Sequence, residues 1–160
     1  MAHESMFQKP GDYRTFEIVG FSFVVIFGKD KQIRAFHNVC RHRAYAVTKK
    51  EAGSSTVLGC RYHGWSYDTK GKLTKAPEFD NVPGFDKDAN SLWEIQTVVR
   101  ESMIFVNLDN GAPIAPIQFD KAERKLRGWG VKGMKVIADW KVESAFNWKI
   151  FGRLLKHARD

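Results

Sequence analysis

Cys40-Arg41-His42-Arg43-Ala44-Tyr45 and Cys60-Arg61-Tyr62-His63-Gly64-Trp65 are the two stretches whose reading decides the fold. Each places one thiol and one imidazole on a short segment, first as Cys-x-His and then as Cys-x-x-His, with seventeen residues between His42 and Cys60. The ligand-type side chains therefore alternate Cys, His, Cys, His. Two loops of a β-domain can supply these donors so that both thiolates meet one metal and both imidazoles another, the donor set of a two-iron, two-sulfide centre of mixed ligation. The rival is a single structural zinc ion, because two Cys and two His also bind zinc tetrahedrally. Zinc fingers usually present a Cys pair followed by a His pair, whereas here each Cys is coupled to its own His.

Outward from these segments the pattern is β. Phe16 and Ile18, then Phe21, Phe23, Val25 and Phe27, recur at period two, and Val24 and Ile26 make part of the run apolar throughout, which predicts buried strands. Gly28-Lys29-Asp30-Lys31 is a turn signal, and Ile33 to Phe36 reads as the returning strand that delivers Cys40. Thr56 to Gly59 delivers Cys60, and Trp65-Ser66-Tyr67 leaves it before the turn Asp68-Thr69-Lys70-Gly71, so each ligand loop is expected to cap a small hairpin. Ala76-Pro77 through Phe85 reads as an irregular connection packed by Phe79 and Phe85. Leu92 to Arg100 and Met103 to Leu108 are further β-runs split by Glu101-Ser102, and Asp109-Asn110-Gly111 closes the unit.

Beyond Pro113 and Pro116 the period changes. Phe119, Ala122, Leu126 and Trp129 share one face of a helix that Gly128 and Gly130 end. Val136, Ala138, Trp140 and Val142 then alternate as a strand, and Ile150, Leu154 and Ala158 predict a short final helix. The expected organisation is a mainly β domain over 1–112 and a partial α+β extension over 113–160.

A chain of 160 residues that is 43% apolar is long enough to bury a core. Its formal charge of +8 comes from 26 basic and 18 acidic residues, but no Arg/Lys stripe with interleaved aromatics appears, so nucleic acid is not an expected partner. A solvated basic surface or a docking face for an acidic redox partner accounts for the charge. Both cysteines fall in the ligand segments and leave none for a disulfide, which points to a reducing, cytoplasmic setting. The first residues lack the apolar run of a leader, and no apolar stretch approaches about 18 residues, so no membrane association is expected.

CRHRAY at 40–45 and CRYHGWSYDTKGKL at 60–73 resemble the Rieske domain of ring-hydroxylating oxygenase α-subunits, in the choline monooxygenase-like branch. FQKPGDY at 7–13, IRAFHNVCRHRAY at 33–45, APEFDNVPGF at 76–85 and FVNLD at 105–109 carry the resemblance further, with Ala46 standing where this branch tends to have proline. The resemblance implies a Rieske-type antiparallel β-sandwich with a small cluster-binding subdomain. It implies a [2Fe-2S] cluster, with Cys40 and Cys60 on the inner iron and His42 and His63 on the outer, redox-active iron. A reductase or ferredoxin is the implied electron donor, and other oxygenase subunits are further partners. Tyr67 matches a tyrosine that directs its hydroxyl at a cysteine sulfur in related proteins, a packed core tyrosine being the alternative. Trp65 stands where high-potential respiratory Rieske proteins carry a serine donor, and fewer donors to sulfur imply a low potential. Gly64 fits a close backbone approach to the cluster, and Arg41, Arg43 and Arg61 read as a ring of positive charge around it or as solvated side chains. His37 reads as packed, and His3 and His157 carry no assigned role.

Oxygenases of this family continue into a helix-grip domain whose mononuclear Fe(II) is held by two histidines and one carboxylate. Trp140-Lys141 and Phe146-Asn147-Trp148-Lys149 resemble its opening, but the paired histidines expected after it are replaced by Ile-Phe-Gly-Arg-Leu-Leu-Lys-His-Ala-Arg-Asp. The expectation is an electron-carrying unit whose catalytic domain is cut short, with no catalytic residue of its own. A stand-alone Rieske ferredoxin and a zinc-binding interaction module without redox activity are the alternatives.

Overall fold

Phe23-Val24-Val25-Ile26 is buried throughout because it lies between two cores. Side chains alternate across a strand. Val24 and Ile26 therefore enter the core that also holds Cys40, Cys60, Trp65 and Tyr67, while Phe23 and Val25 enter a second core with Phe7, Ile95 and Ile104. The computed structural model describes residues 2–109, 119–139, 145, 147, 149 and 150.

Ten strands follow in chain order: β1 (Ala2–His3), β2 (Asp12–Ile18), β3 (Phe21–Phe27), β4 (Ile33–His37), β5 (Ala52–Ser54), β6 (Val57–Gly59), β7 (Ser66–Asp68), β8 (Leu73–Lys75), β9 (Glu94–Arg100) and β10 (Met103–Asn107). Seven form one antiparallel sheet in the order β1-β10-β9-β4-β3-β2-β5, and β6-β7-β8 form a small second sheet. The small sheet carries the second ligand segment and packs on the Val24/Ile26 face of the large one. This is the mainly β, antiparallel arrangement with a small subdomain that the resemblance implies.

Three local expectations are corrected. The run from Thr15 to Phe27 is a hairpin, turned at Val19 and Gly20, which both have positive φ (51° and 80°). Two successive left-handed residues give the turn whose twist matches the flanking strands. The apolar residues at its tip are exposed rather than buried, Val19 at 90% and Phe21 at 59%. The first ligand loop does not cap a hairpin, because β4 pairs with β3 and β9 while β5 pairs with β2. Residues 134–139 form no strand, although Val136 and Ala138 alternate; Trp140 and Val142 lie outside the described residues. So do Leu154 and Ala158 of the expected final helix, of which only Lys149 and Ile150 are described as helical.

The expected helix is present as α1 (Phe119–Gly128). The helix and the segment after it are tied to the β-domain by polar contacts: Arg127 of α1 meets Glu101 (3.1 Å), His3 Nε2 donates to the Val131 carbonyl (3.1 Å), and Val136 N–H donates to Ser5 Oγ (3.0 Å). Holding the ring with Nε2 protonated leaves His3 Nδ1 to accept from Ser5 N–H at 3.1 Å. The expected boundary near residue 112 lies outside the described residues. No described helix is long and apolar enough to cross a membrane.

Candidate metal-cluster site

The two ligand segments fold as the same loop twice. Cys40 N–H donates to Tyr45 O (2.8 Å) and Ala44 N–H to Cys40 O (3.0 Å); Cys60 N–H donates to Trp65 O (2.8 Å) and Gly64 N–H to Cys60 O (3.0 Å). The fifth residue of each is left-handed, Ala44 at φ 53° and Gly64 at φ 74°. Glycine accepts that conformation without cost, and at Gly64 it also keeps clear of Pro77, whose Cγ would lie 3.3 Å from an added Cβ. The base of the first loop is closed by Asn38, which donates to Thr48 O (2.8 Å) and accepts from Thr48 N–H (3.0 Å).

Matching loops bring the ligand-type residues together with sulfur inside and nitrogen outside. Cys40 and Cys60 are buried, while His42 and His63 are half-buried and meet edge to face with ring centroids 4.5 Å apart. Burial, with Cys40 beside it, pushes the Cys60 thiol up from its ordinary range. Tyr67 is fully buried, and its phenol is also raised, chiefly by burial and then by its contact with Cys40. Its hydroxyl accepts the Arg41 N–H at 3.1 Å, which leaves its own proton free to point at Cys40 Sγ, 3.3 Å away. Burial lowers the His42 pKa, with His63 and Arg43 adding to the shift, so the ring is held neutral and its lone pair is available.

An aromatic wall backs His42. Trp65 stacks on it at 5.0 Å and 10°, Phe79 meets it edge-on at 5.4 Å, and Phe85 packs on Trp65 at 5.6 Å. His63 is covered by Tyr62 at 3.8 Å, and Tyr62 contacts Tyr45 at 5.3 Å. Within this setting His42 Nδ1 and Trp65 Nε1 are buried with no hydrogen-bond partner among the described residues. A buried imidazole nitrogen without a partner is costly unless something outside the protein meets it. A metal ion on the lone pair of a neutral ring does so. Two buried sulfurs beneath two neighbouring imidazoles are the donor set that a two-iron cluster takes, thiolate on one iron and neutral imidazole on the other.

Cys40, His42, Cys60 and His63 are thus gathered at one place, with Trp65, Tyr67 and Gly64 against them. Arg43 and Arg61 are exposed, and Arg41 does not face the site: its guanidinium lies 4.1 Å over the Trp93 ring and donates to Ser91 O at 3.2 Å. Tyr45, Tyr62 and Asn38 are additions that the residue pattern did not single out. The first two sit directly beside motif residues, a signal that was present; the role of Asn38 depends on Thr48 and is visible only in the folded loop.

A model of the Rieske [2Fe-2S] domain matches residues 1–86. The chain is similar to the carnitine monooxygenase oxygenase subunit of Acinetobacter baumannii, with 34% identity over 94% of this chain and 41% of that protein. It is also similar to the chlorobenzene dioxygenase subunit alpha of a Cupriavidus species, with 37% identity over 71% of this chain and 25% of that one. Among solved structures, the apo form of the quaternary ammonium Rieske monooxygenase CntA superposes with a TM-score of 0.85 at 32% identity, covering 95% of this chain and 45% of that one. The chain therefore spans about two fifths of the length of the carnitine monooxygenase subunit it matches.

Proposed function

Because the chain belongs to the Rieske [2Fe-2S] domain family, we propose that it holds a [2Fe-2S] cluster and serves as the electron-carrier domain of an oxygenase α-subunit. Cys40 and Cys60 hold one iron, and His42 and His63 hold the other. The observation that carries this reading is the buried, unpartnered Nδ1 of His42 beside a second imidazole, over a pair of buried sulfurs. When bound, the cluster supplies a one-electron store, with its histidine-held iron at higher potential than an all-cysteine cluster. The chain's own part is to bury the two thiolates, to keep His42 neutral, to fix one sulfur through Tyr67 and to shield the imidazoles with Trp65 and Tyr62.

Similarity to the carnitine monooxygenase subunit runs over 94% of the chain, past the β-domain, and this favours an oxygenase α-subunit over a stand-alone ferredoxin. The electron donor in this reading is a reductase or ferredoxin, and other oxygenase subunits are the remaining partners. The mononuclear Fe(II) of the oxygenases has no ligand set among the described residues.

Potentiometric titration followed by EPR tests the assignment. A single one-electron couple is expected, and His42→Cys or His63→Cys retains a cluster with a lower midpoint, because each substitution adds a negative ligand. An unchanged midpoint in both variants overturns the ligand assignment.

A further inference from the structure

An open cleft of about 330 Å³ lies between the end of the first ligand loop and the connection from β5 to β6. Its charged lining is Lys49, Lys50 and Arg61, without an acidic side chain. None of the three takes part in an ion pair among the described residues, whereas Arg34 and Lys70 are paired with Asp30, Lys72 with Asp88 and Lys87 with Asp80. The Lys49 ammonium lies instead 4.7 Å over the Tyr45 ring, which keeps its charge at the rim of the cleft. Tyr45 touches Tyr62, and Tyr62 covers His63, so the cleft opens beside the aromatic pair that shields an imidazole. Both tyrosines are exposed, Tyr62 at 54% and Tyr45 at 36%.

Resting on the electron-carrier reading above, we infer that this cleft docks an acidic surface segment of the protein that delivers the electron. Three unneutralised cations in a concave surface attract negative charge and speed its arrival. The three cations are exposed and line an open cleft that holds no acidic side chain, a surface that several carboxylates of a protein segment can reach together. Exposed tyrosine and arginine beside them are the side chains that protein interfaces favour. Docking there sets the partner against Tyr62, one ring contact from His63.

The test uses a reduced, acidic [2Fe-2S] ferredoxin as the probe with the cluster-loaded chain. Stopped-flow reduction is compared for the wild type, the double variant Lys49→Glu/Lys50→Glu and a control of equal charge change on α1, Lys121→Glu/Lys125→Glu. Each sample is matched for cluster content by EPR. The second-order rate constant is expected to fall about tenfold or more in the cleft variant at low ionic strength, with a flatter salt dependence, and to stay within about twofold in the control. Carbodiimide coupling, which joins lysine amines to carboxylates at zero length, gives a second readout independent of electron flow; Lys49 and Lys50 are the expected sites. Equal losses in the two variants, coupling spread over other lysines, or coupling between two copies of this chain would overturn the inference. A chain that takes up no cluster defeats the electron-carrier reading instead, and the coupling pattern then judges the cleft alone.

Discussion

Ala44 and Gly64 occupy the same place in two loops of matching hydrogen-bond pattern, each left-handed, each donating its N–H to the carbonyl of the cysteine four residues before it. The equivalence explains how Cys-x-His and Cys-x-x-His build one site: the scaffold repeats, and only the imidazole shifts by one position. It also marks a strained residue, since an L-side chain in the left-handed region costs about 1–2 kcal/mol and Gly64 avoids that cost.

Ala44→Gly should therefore stabilise the fold, by about 0.5–1 kcal/mol after the added freedom of the unfolded chain is subtracted. Gly64→Ala should destabilise it by about 1 kcal/mol or more, because strain adds to the close contact with Pro77. Urea unfolding with cluster content monitored checks both. The same sign for the two substitutions would show that the loops are not equivalent.

Tyr67→Phe removes a hydroxyl that both accepts from Arg41 N–H and points at Cys40 Sγ. The stranded Arg41 N–H costs about 1–3 kcal/mol of stability. The lost donor to sulfur lowers the midpoint, by roughly 40 mV for each ~1 kcal/mol of hydrogen bonding that favoured the reduced state. Voltammetry of the variant against the wild type measures it, and a midpoint that rises would rule out Tyr67 as a donor to the sulfur.

The wild-type midpoint itself should lie in the lower part of the range of about −150 to +300 mV known for Rieske centres. Position 65 carries an indole that stacks on His42 rather than a hydroxyl, so Tyr67 is the side-chain hydroxyl placed on a cysteine sulfur here. A value near the upper end would mean that donors other than these tune the cluster.

Away from the site, Asp30 accepts two hydrogen bonds from Arg34 (2.8 and 2.9 Å), with Lys70 nearby. The guanidinium holds its carboxyl well below the usual range, at about 2. A depressed carboxylate contributes stability that is complete above its unfolded pKa of about 3.9 and is lost as pH falls toward 2. Asp30→Asn should flatten the loss of stability between about pH 4 and pH 2, in unfolding curves of the apo chain so that cluster breakdown does not intervene. Identical acid profiles for variant and wild type would count against the pair.

Much of the fold was legible before the structure, for physical reasons that also mark where legibility stops. The ligand segments could be read because their chemistry is contiguous in sequence, and Val24 and Ile26 because an unbroken apolar run belongs to a strand covered on both faces. The turn at Val19 was hidden because a β-branched residue reads as strand, and only the pairing of β2 with β3 forces its positive φ. Val136 and Ala138 alternate but pair with no strand among the described residues, so the pattern there makes no strand. At the site, Phe79 read as generic packing; that it lies against His42 is a contact across 37 residues, which no local pattern encodes.

Two irons and two sulfides held between these two loops are what the electron-carrier function proposed above requires. Iron, zinc and acid-labile sulfide determined on the purified chain, with visible absorption recorded on the same sample, test it most directly. About two irons and two sulfides per chain are expected, with little zinc. Stoichiometric zinc without sulfide would contradict it.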